Sequence, residues 1–371
     1  MVEVITKGEI NIQKNLSSFE LILIIMLSTG LLNHVFIIPV LLEIAGRDSW
    51  ISIILAFFLY LIWMLLISSL MKKLNGEDIR IWLEKRNGKW LTKIFLSIIV
   101  ILSLVLVTIT MNETLTFTNF YLLITPRWVV TILLTSLCMY GSLKGLKSIA
   151  MISGILLPIV VLLGFLIMTA NIPNKNLTLL KPFLEHGFTP VMKGTLYNLS
   201  GLMEVFFLLF IQDQVKNKLK ISFFIKLGLI LSILTFGPTI GAMTEFSPNK
   251  ATLMRFPAYE EWRLFTLGRY IEHVDFLAVF QWLSGAYIRI AFFMYLAMNL
   301  LDFKKPLLKI SYKAILILLI MVFSNLPITD DDYYTFMKKF VLPGTFYIIL
   351  GLSLIFSLVA FLPKKEKIEQ T

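Results

Sequence analysis

LILIIMLSTGLLNHVFIIPVLLEIA, residues 21–45, and VMKGTLYNLSGLMEVFFLLFI, residues 191–211, are apolar runs that carry the same flaw. Thr29-Gly30 interrupts the first and Ser200-Gly201 the second, at matching places in the two halves of the chain. Interrupted helices at equivalent positions of two halves are the best sequence pointer to a substrate site in a secondary-transporter fold. The chain therefore reads as a membrane solute binder built from an inverted repeat.

Working outward, ten apolar runs cover 20–44, 50–71, 91–119, 128–143, 147–170, 191–211, 221–243, 275–301, 309–326 and 340–361. The chain of 371 residues is 57% hydrophobic, with a mean hydropathy of +0.83. A helix crosses a hydrocarbon core of about 30 Å with roughly 20 apolar residues. Lipid offers the backbone no hydrogen-bond partner, so each run should be helical. The expected fold is all-α and integral to the membrane, transporter-like, with ten transmembrane helices of which helices 1 and 6 are interrupted. The shift that brings Thr29 onto Ser200 also brings the first two runs onto the sixth and seventh; the later pairs lag because the 246–274 loop is long. Each half holds five runs, an odd number, so the second half must enter the membrane upside down relative to the first. The expectation is one membrane domain, 1–371, made of a five-helix repeat at 20–170 and a second at 191–361.

Charge sets the orientation. With the N-terminus in the cytoplasm, the inside segments hold 21 Lys/Arg and the outside loops 11, with Lys226 and Arg289 left within helices. The positive-inside bias puts both termini in the cytoplasm. A nucleic-acid patch is the weaker reading of the net charge of +11, because the charge is spread over loops between spans. The single cysteine, Cys138, excludes an internal disulfide and should act as a small buried hydrophobe. The first run is too long for a signal-peptide core and should stay in the mature protein. Ser17-Ser18-Phe19-Glu20 fits a capping box. Segment 72–93 should include a short interfacial helix, and 171–190, with Pro173, Pro182 and Pro190, should be irregular and extracytoplasmic.

An unwound turn at Ser28-Thr29-Gly30 would leave amides and carbonyls that only protein, water or ligand can satisfy. A carboxylate suits the positive N-terminal end of the following half-helix. The same reading applies to Asn198, Ser200 and Gly201. Against it stands plain close packing of small residues. Three charges within runs stand out: Glu113, Glu204 and Arg289. Arg289 falls midway between Asp275 and Asp302, which bracket its run, and so lies near the midplane. A charge there costs at least about 2.5–3.5 kcal/mol on insertion scales and needs a partner. Glu204 and a ligand carboxylate are the two candidates. Glu113, with Asn112 and Thr116, would line an ion or water path or face an outer vestibule. His34, one turn after Gly30, reads as hydrogen-bonded structure more readily than as a ligand. His186 and His273 lie in loops without partners at metal spacing, so no metal site and no cofactor is expected.

Enzymatic signatures such as a Walker-type loop, G-x-S-x-G or H-E-x-x-H are absent from the sequence. The acids at 330–332 have no basic neighbour in sequence and read as a solvated turn. The chain is not expected to be an enzyme.

The most specific stretch runs from Phe256-Pro257-Ala258-Tyr259 through Arg269-Tyr270-Ile271-Glu272-His273-Val274-Asp275 to Trp282 and the helix Tyr287–Tyr295. It resembles the B-subunit permeases of bacterial spore germinant receptors. Further matches are Gly30-Leu31-Leu32 with Pro39, Asp48-Ser49-Trp50-Ile51, and Met203-Glu204-Val205. The resemblance implies a member of the amino acid–polyamine–organocation superfamily that senses germinant in the spore inner membrane beside A and C subunits. It also implies a ligand pocket drawing on the Gly201 region, Ile109, and Ile288 or Arg289, next to Tyr287. His273 stands where that family usually has Arg, and Arg289 where a small polar residue is common, which changes the charge of the pocket. The leading reading is a sensor of a small amino acid. A secondary transporter coupled to H⁺ or Na⁺ is the alternative, followed by a channel lined by Asn112, Glu113 and Thr116, and by a structural scaffold.

Overall fold

The computed structural model describes residues 15–265 and 274–362. The Arg269–His273 part of the motif above lies outside them. The described residues form no strand; one isolated backbone bridge joins Leu16 to Val215. Helix α1 spans Ser18–Leu31 and opens with the expected capping box, Ser17 and Glu20 bonding each other's backbone N–H at 3.2 and 2.8 Å. A π turn, Leu32–Phe36, leads into α2, Ile37–Ala45. After α3 (Ser49–Leu74) comes α4 (Ile79–Thr118), which bends at Gly88, φ 79°. The 79–87 arm before that bend is helical, where a short helix is expected within 72–93. Then follow α5 (Arg127–Lys144), α6 (Leu146–Ala170) and α7 (Phe188–Leu202), which passes into a 3-10 stretch, Met203–Phe210. Next are α8 (Ile221–Phe246), two short helices α9 (Pro248–Ala251) and α10 (Pro257–Arg263), α11 (Phe276–Leu300) and α12 (Pro306–Ser324). The last pair, α13 (Asp330–Phe336) and α14 (Leu342–Phe361), is joined by a π turn at Met337–Val341.

Among the described residues, seven helical stretches are long and apolar enough to cross a membrane. The first, Ser18–Leu74, holds 57 residues, far more than the roughly 20 that one crossing takes, and it turns at Gly46–Asp48. The chain is an integral membrane protein. Its centre is α11, buried along most of its length and packed on α1, α4, α5 and α6. The outer helices instead present Ile155, Leu162 and Phe165 (α6) and Leu307, Leu318 and Phe323 (α12). Exposed apolar faces of that extent match hydrocarbon rather than water.

Side-chain bonds close the bundle at both ends. At one end Arg80 reaches the Asn299 carbonyl (2.9 Å), Arg86 that of Val359 (2.7 Å), and Lys218 bonds Asn75. At the other, Asp48 accepts the N–H of Leu184 and Glu185, and Tyr121 bonds Tyr259 and Asp275.

The interruptions differ from the expectation. The helix runs unbroken through Thr29-Gly30 and through Ser200-Gly201. The small residues are covered instead by neighbours: a Cβ on Gly30 would sit 3.1 Å from Leu234, and one on Gly201 2.5 Å from Asn33 Oδ1 and Ile37 Cδ1. The helix type changes just afterwards, at Leu32 and Met203, and these onsets keep the same spacing as Thr29 and Ser200.

Candidate functional site

Arg289 and Glu204 meet in the middle of the bundle. The α11 guanidinium donates through Nη1 to Glu204 Oε2 and through Nη2 to Oε1, both at 2.6 Å. Its Nε donates to Thr110 Oγ1 of α4 (3.0 Å), and Nη1 also reaches the Ser28 carbonyl of α1 (3.2 Å). Thr29 Oγ1 donates to Glu204 Oε2 at 3.3 Å, and the guanidinium lies over the Phe293 ring. Both charged residues are 1% exposed. The planar fork of Arg fits a carboxylate in two parallel bonds, which a Lys could not reproduce. The pair joins α1, α4, the 3-10 stretch after α7, and α11 with no net charge.

The helix-type changes supply part of this site. At the end of α1 the N–H of Leu32 bonds the Thr29 carbonyl, leaving the Ser28 carbonyl open to Arg289. Helix turns of the π type recur where function demands an offset in the helix. The free backbone group expected near Thr29 is therefore a carbonyl that accepts from Arg289, rather than an amide awaiting an anion.

An aromatic layer covers the pair. Trp282, two turns before Arg289 on α11, stacks on Phe117 of α4 with centroids 4.0 Å apart. Its Nε1 donates to Thr114 (3.2 Å), while Phe256 and Phe36 flank it at 5.3 and 5.8 Å. Several buried polar atoms in the residues around the pair have no partner: Ser28 Oγ, Asn33 Oδ1, and both side-chain polar atoms of Asn198. Gly194, Asn198 and Gly201 recur at four- and three-residue spacing, so they share one face of α7. That face meets Ala45 at Gly194 and Asn33 at Gly201. Buried groups without bonds call for an explanation, such as water or a ligand.

The candidate residues from sequence divide accordingly. Thr29, Glu204 and Arg289 come together, with Gly201 and Asn198 on the adjoining face. Ser200 spends its hydroxyl on the Tyr197 carbonyl, 2.6 Å away. Gly30 faces Leu234 of α8, and Tyr287 turns its hydroxyl towards Gly141 of α5, so neither joins the pair. Ile109 and Ile288 are core residues, 5% and 0% exposed. His34 is structural, its Nδ1 3.2 Å from the Leu234 carbonyl, and Cys138 is buried.

Glu113 belongs to a second charged network. Its carboxylate accepts from Arg255 Nη2 at 2.7 and 2.8 Å, and Arg255 also bonds Asp330 at 3.1 and 3.2 Å. Arg255 is sandwiched between the Phe256 and Tyr334 rings. The Glu113 side chain is fully buried, with Asn112 buried beside it and Thr116 half-buried. Asp330 thus has a basic companion after all. The companion was invisible in sequence because Arg255 reaches it from the distant 246–274 loop. Nearby, Glu43, Arg47, Glu185, His186 and Asn249 line an open cleft of about 320 Å³.

Long apolar helices packed around a buried ion pair make this a helical membrane protein. The chain belongs to the spore germination protein family, whose profile matches residues 13–334. It is 42% identical to "Spore germination protein XB" of Bacillus anthracis over 349 residues, covering 94% of this chain and 98% of that protein. It is also 26% identical to "Spore germination protein A2" of Bacillus subtilis (strain 168), over 82% of this chain and 87% of the relative. "Spore germination protein YndE" of the same organism matches at 24% over 77% of this chain and 80% of its own length. The family is not one of enzymes.

Proposed function

We propose that this chain is the membrane-embedded germinant-sensing subunit of a spore germinant receptor. It sits in the spore inner membrane with its termini in the cytoplasm and works beside A and C subunits. In this reading it has ten crossings in two inverted halves, 20–170 and 191–361. The two changes of helix type, at Leu32 and Met203, lie as far apart in the chain as Thr29 and Ser200, which supports the repeat. A small amino acid binds between α1, α4, α7 and α11, against Thr29, Asn198, Gly201, Glu204 and Arg289.

The observation that carries this reading is the Arg289–Glu204 pair itself. A germinant carboxylate offers Arg289 the same two oxygens as Glu204. Exchange of one for the other would release the 3-10 stretch after α7 from α11 and signal occupancy to partners. Arg289→Lys tests it, since Lys keeps the charge but loses the fork. In spores with equal receptor content, the germinant concentration for half-maximal response should rise roughly tenfold, the size of one charged hydrogen bond of about 1.5 kcal/mol. An unchanged dose-response curve would remove Arg289 from the ligand site. Uptake of labelled amino acid by proteoliposomes holding this chain alone would instead favour the transporter alternative.

Orientation has its own test. Cysteines at the exposed positions Asn176 and Asn249 should react with an impermeant thiol reagent from outside, and one at Asn75 should not. The reverse pattern would turn the protein over.

A further inference from the structure

The carboxylates of Glu245 and Glu261 play no part in the site above, and their setting is unusual. Glu245 ends α8 with a side chain that is 0% exposed, and Glu261 on α10 is 6% exposed. Both oxygens of Glu245, and Oε1 of Glu261, are buried without a hydrogen bond. Glu261 lies directly on α8: a Cβ at Gly241 would fall 2.5 Å from its Oε1. Glu245 is one turn further along the same face of α8, a separation of about 5–6 Å. Lys175, from the loop after α6, stands 3.5 Å from Glu245 Oε1. Lys175, in the 171–190 loop, meets these partners only in the fold.

One ammonium opposes two carboxylates here. Were both ionised, one negative charge would stay buried without a hydrogen bond, which costs several kcal/mol. Burial first, and then the neighbouring Glu245, raises the Glu261 carboxyl well above its ordinary range. A divalent cation would demand about six or more oxygen ligands, and no group of three or more His, Cys, Asp or Glu is assembled for a metal among the described residues. A proton fits where a metal does not.

We propose that Glu245 and Glu261 form a proton-binding site that clamps α10 against α8. In the closed arrangement Glu261 holds the proton. When α10 lifts, the O–H bond breaks, the proton passes to water at that end of the bundle, and the carboxylate remains. Other charges around α10 are engaged elsewhere among the described residues. Glu260 and Arg263 bond each other, Asp275 accepts from Tyr259 and Tyr121, and Glu113 is held by Arg255. His34 is bonded to the Leu234 carbonyl, further back along α8. Phe256 and Tyr259 also form part of the aromatic layer. Proton release therefore loosens the cover of the Arg289–Glu204 pair, whichever solute that pair recognises.

Glu261→Gln is the test, because the amide mimics the protonated acid. The full-length protein is purified in detergent, and its thermal unfolding is followed from mildly acidic to mildly alkaline pH. A raised native pKa means stability present at low pH and lost as pH rises towards that pKa. Wild type should lose several degrees relative to Glu261→Gln on the alkaline side and match it on the acidic side. Infrared difference spectra should show a protonated-carboxyl band that titrates in wild type and is missing from Glu261→Gln. Identical melting at every pH, or a band that survives in both Glu261→Gln and Glu245→Gln, would overturn the proposal. So would stabilisation of wild type, but not of Glu261→Gln, by added Ca²⁺, which would assign the oxygens to a metal.

Discussion

Arg289→Ala is expected to cut the amount of folded protein in the membrane severely. The substitution leaves Glu204 charged, buried and bonded only by Thr29 at 3.3 Å. Breaking one side of a buried pair costs about 3–5 kcal/mol, whereas removing both sides often costs much less. Glu204→Ala should be as damaging, because it strands the guanidinium between Thr110 and the Ser28 carbonyl. The double variant Arg289→Ala/Glu204→Ala should recover a substantial part of the loss. Immunoblots of membrane fractions and melting in detergent provide the measurement, arranged as a double-mutant cycle. Additive losses, with no recovery in the double variant, would show that the two side chains do not depend on each other.

Gly201→Leu should be equally disruptive, and Gly201→Ala should show why. Even a methyl at this position would lie 2.5 Å from both Asn33 Oδ1 and Ile37 Cδ1. Overfilling a packed core costs typically about 1–3 kcal/mol, and Leu adds three more carbons to the same contact. Alanine should therefore lower the melting temperature measurably, and leucine should leave little folded protein. Gly344→Ala, where no atom lies within 4 Å of the added carbon, serves as the control. Normal melting of Gly201→Leu would mean that α7 and the π turn do not meet as described.

Most of the helical plan was legible in hydropathy alone. The runs at 221–243, 275–301 and 128–143 are the helices Ile221–Phe246, Phe276–Leu300 and Arg127–Lys144. Lipid allows few alternatives for such sequences. The short helices α9 and α10 escaped because a four- or seven-residue helix has too few turns to show a period. Arg289 was legible for an energetic reason: a charge placed mid-run must have a partner, and Glu204 was the near candidate. The Glu113–Arg255–Asp330 network and the Glu245–Glu261–Lys175 group were not. Each draws members from loops, where position in space is independent of hydropathy. The helix irregularities were seen at the right places but given the wrong form. Gly30 and Gly201 looked like gaps because small side chains weaken an isolated helix, yet inside the bundle they are filled by neighbouring chains.

The winding of Met203–Phe210 has a mechanical meaning. A 3-10 helix rises about 2.0 Å per residue against about 1.5 Å for an α-helix. Rewinding this segment as an α-helix would shorten it by about 4 Å and turn its far end through nearly half a revolution. Glu204, the second residue of this segment, is the point at which Arg289 holds it to α11. Its far end runs on to Val215, whose neighbours Gln214 and Lys216 bond the backbone of Leu16 at 3.1 and 2.8 Å. Such rewinding would therefore be felt at Leu16, just ahead of α1.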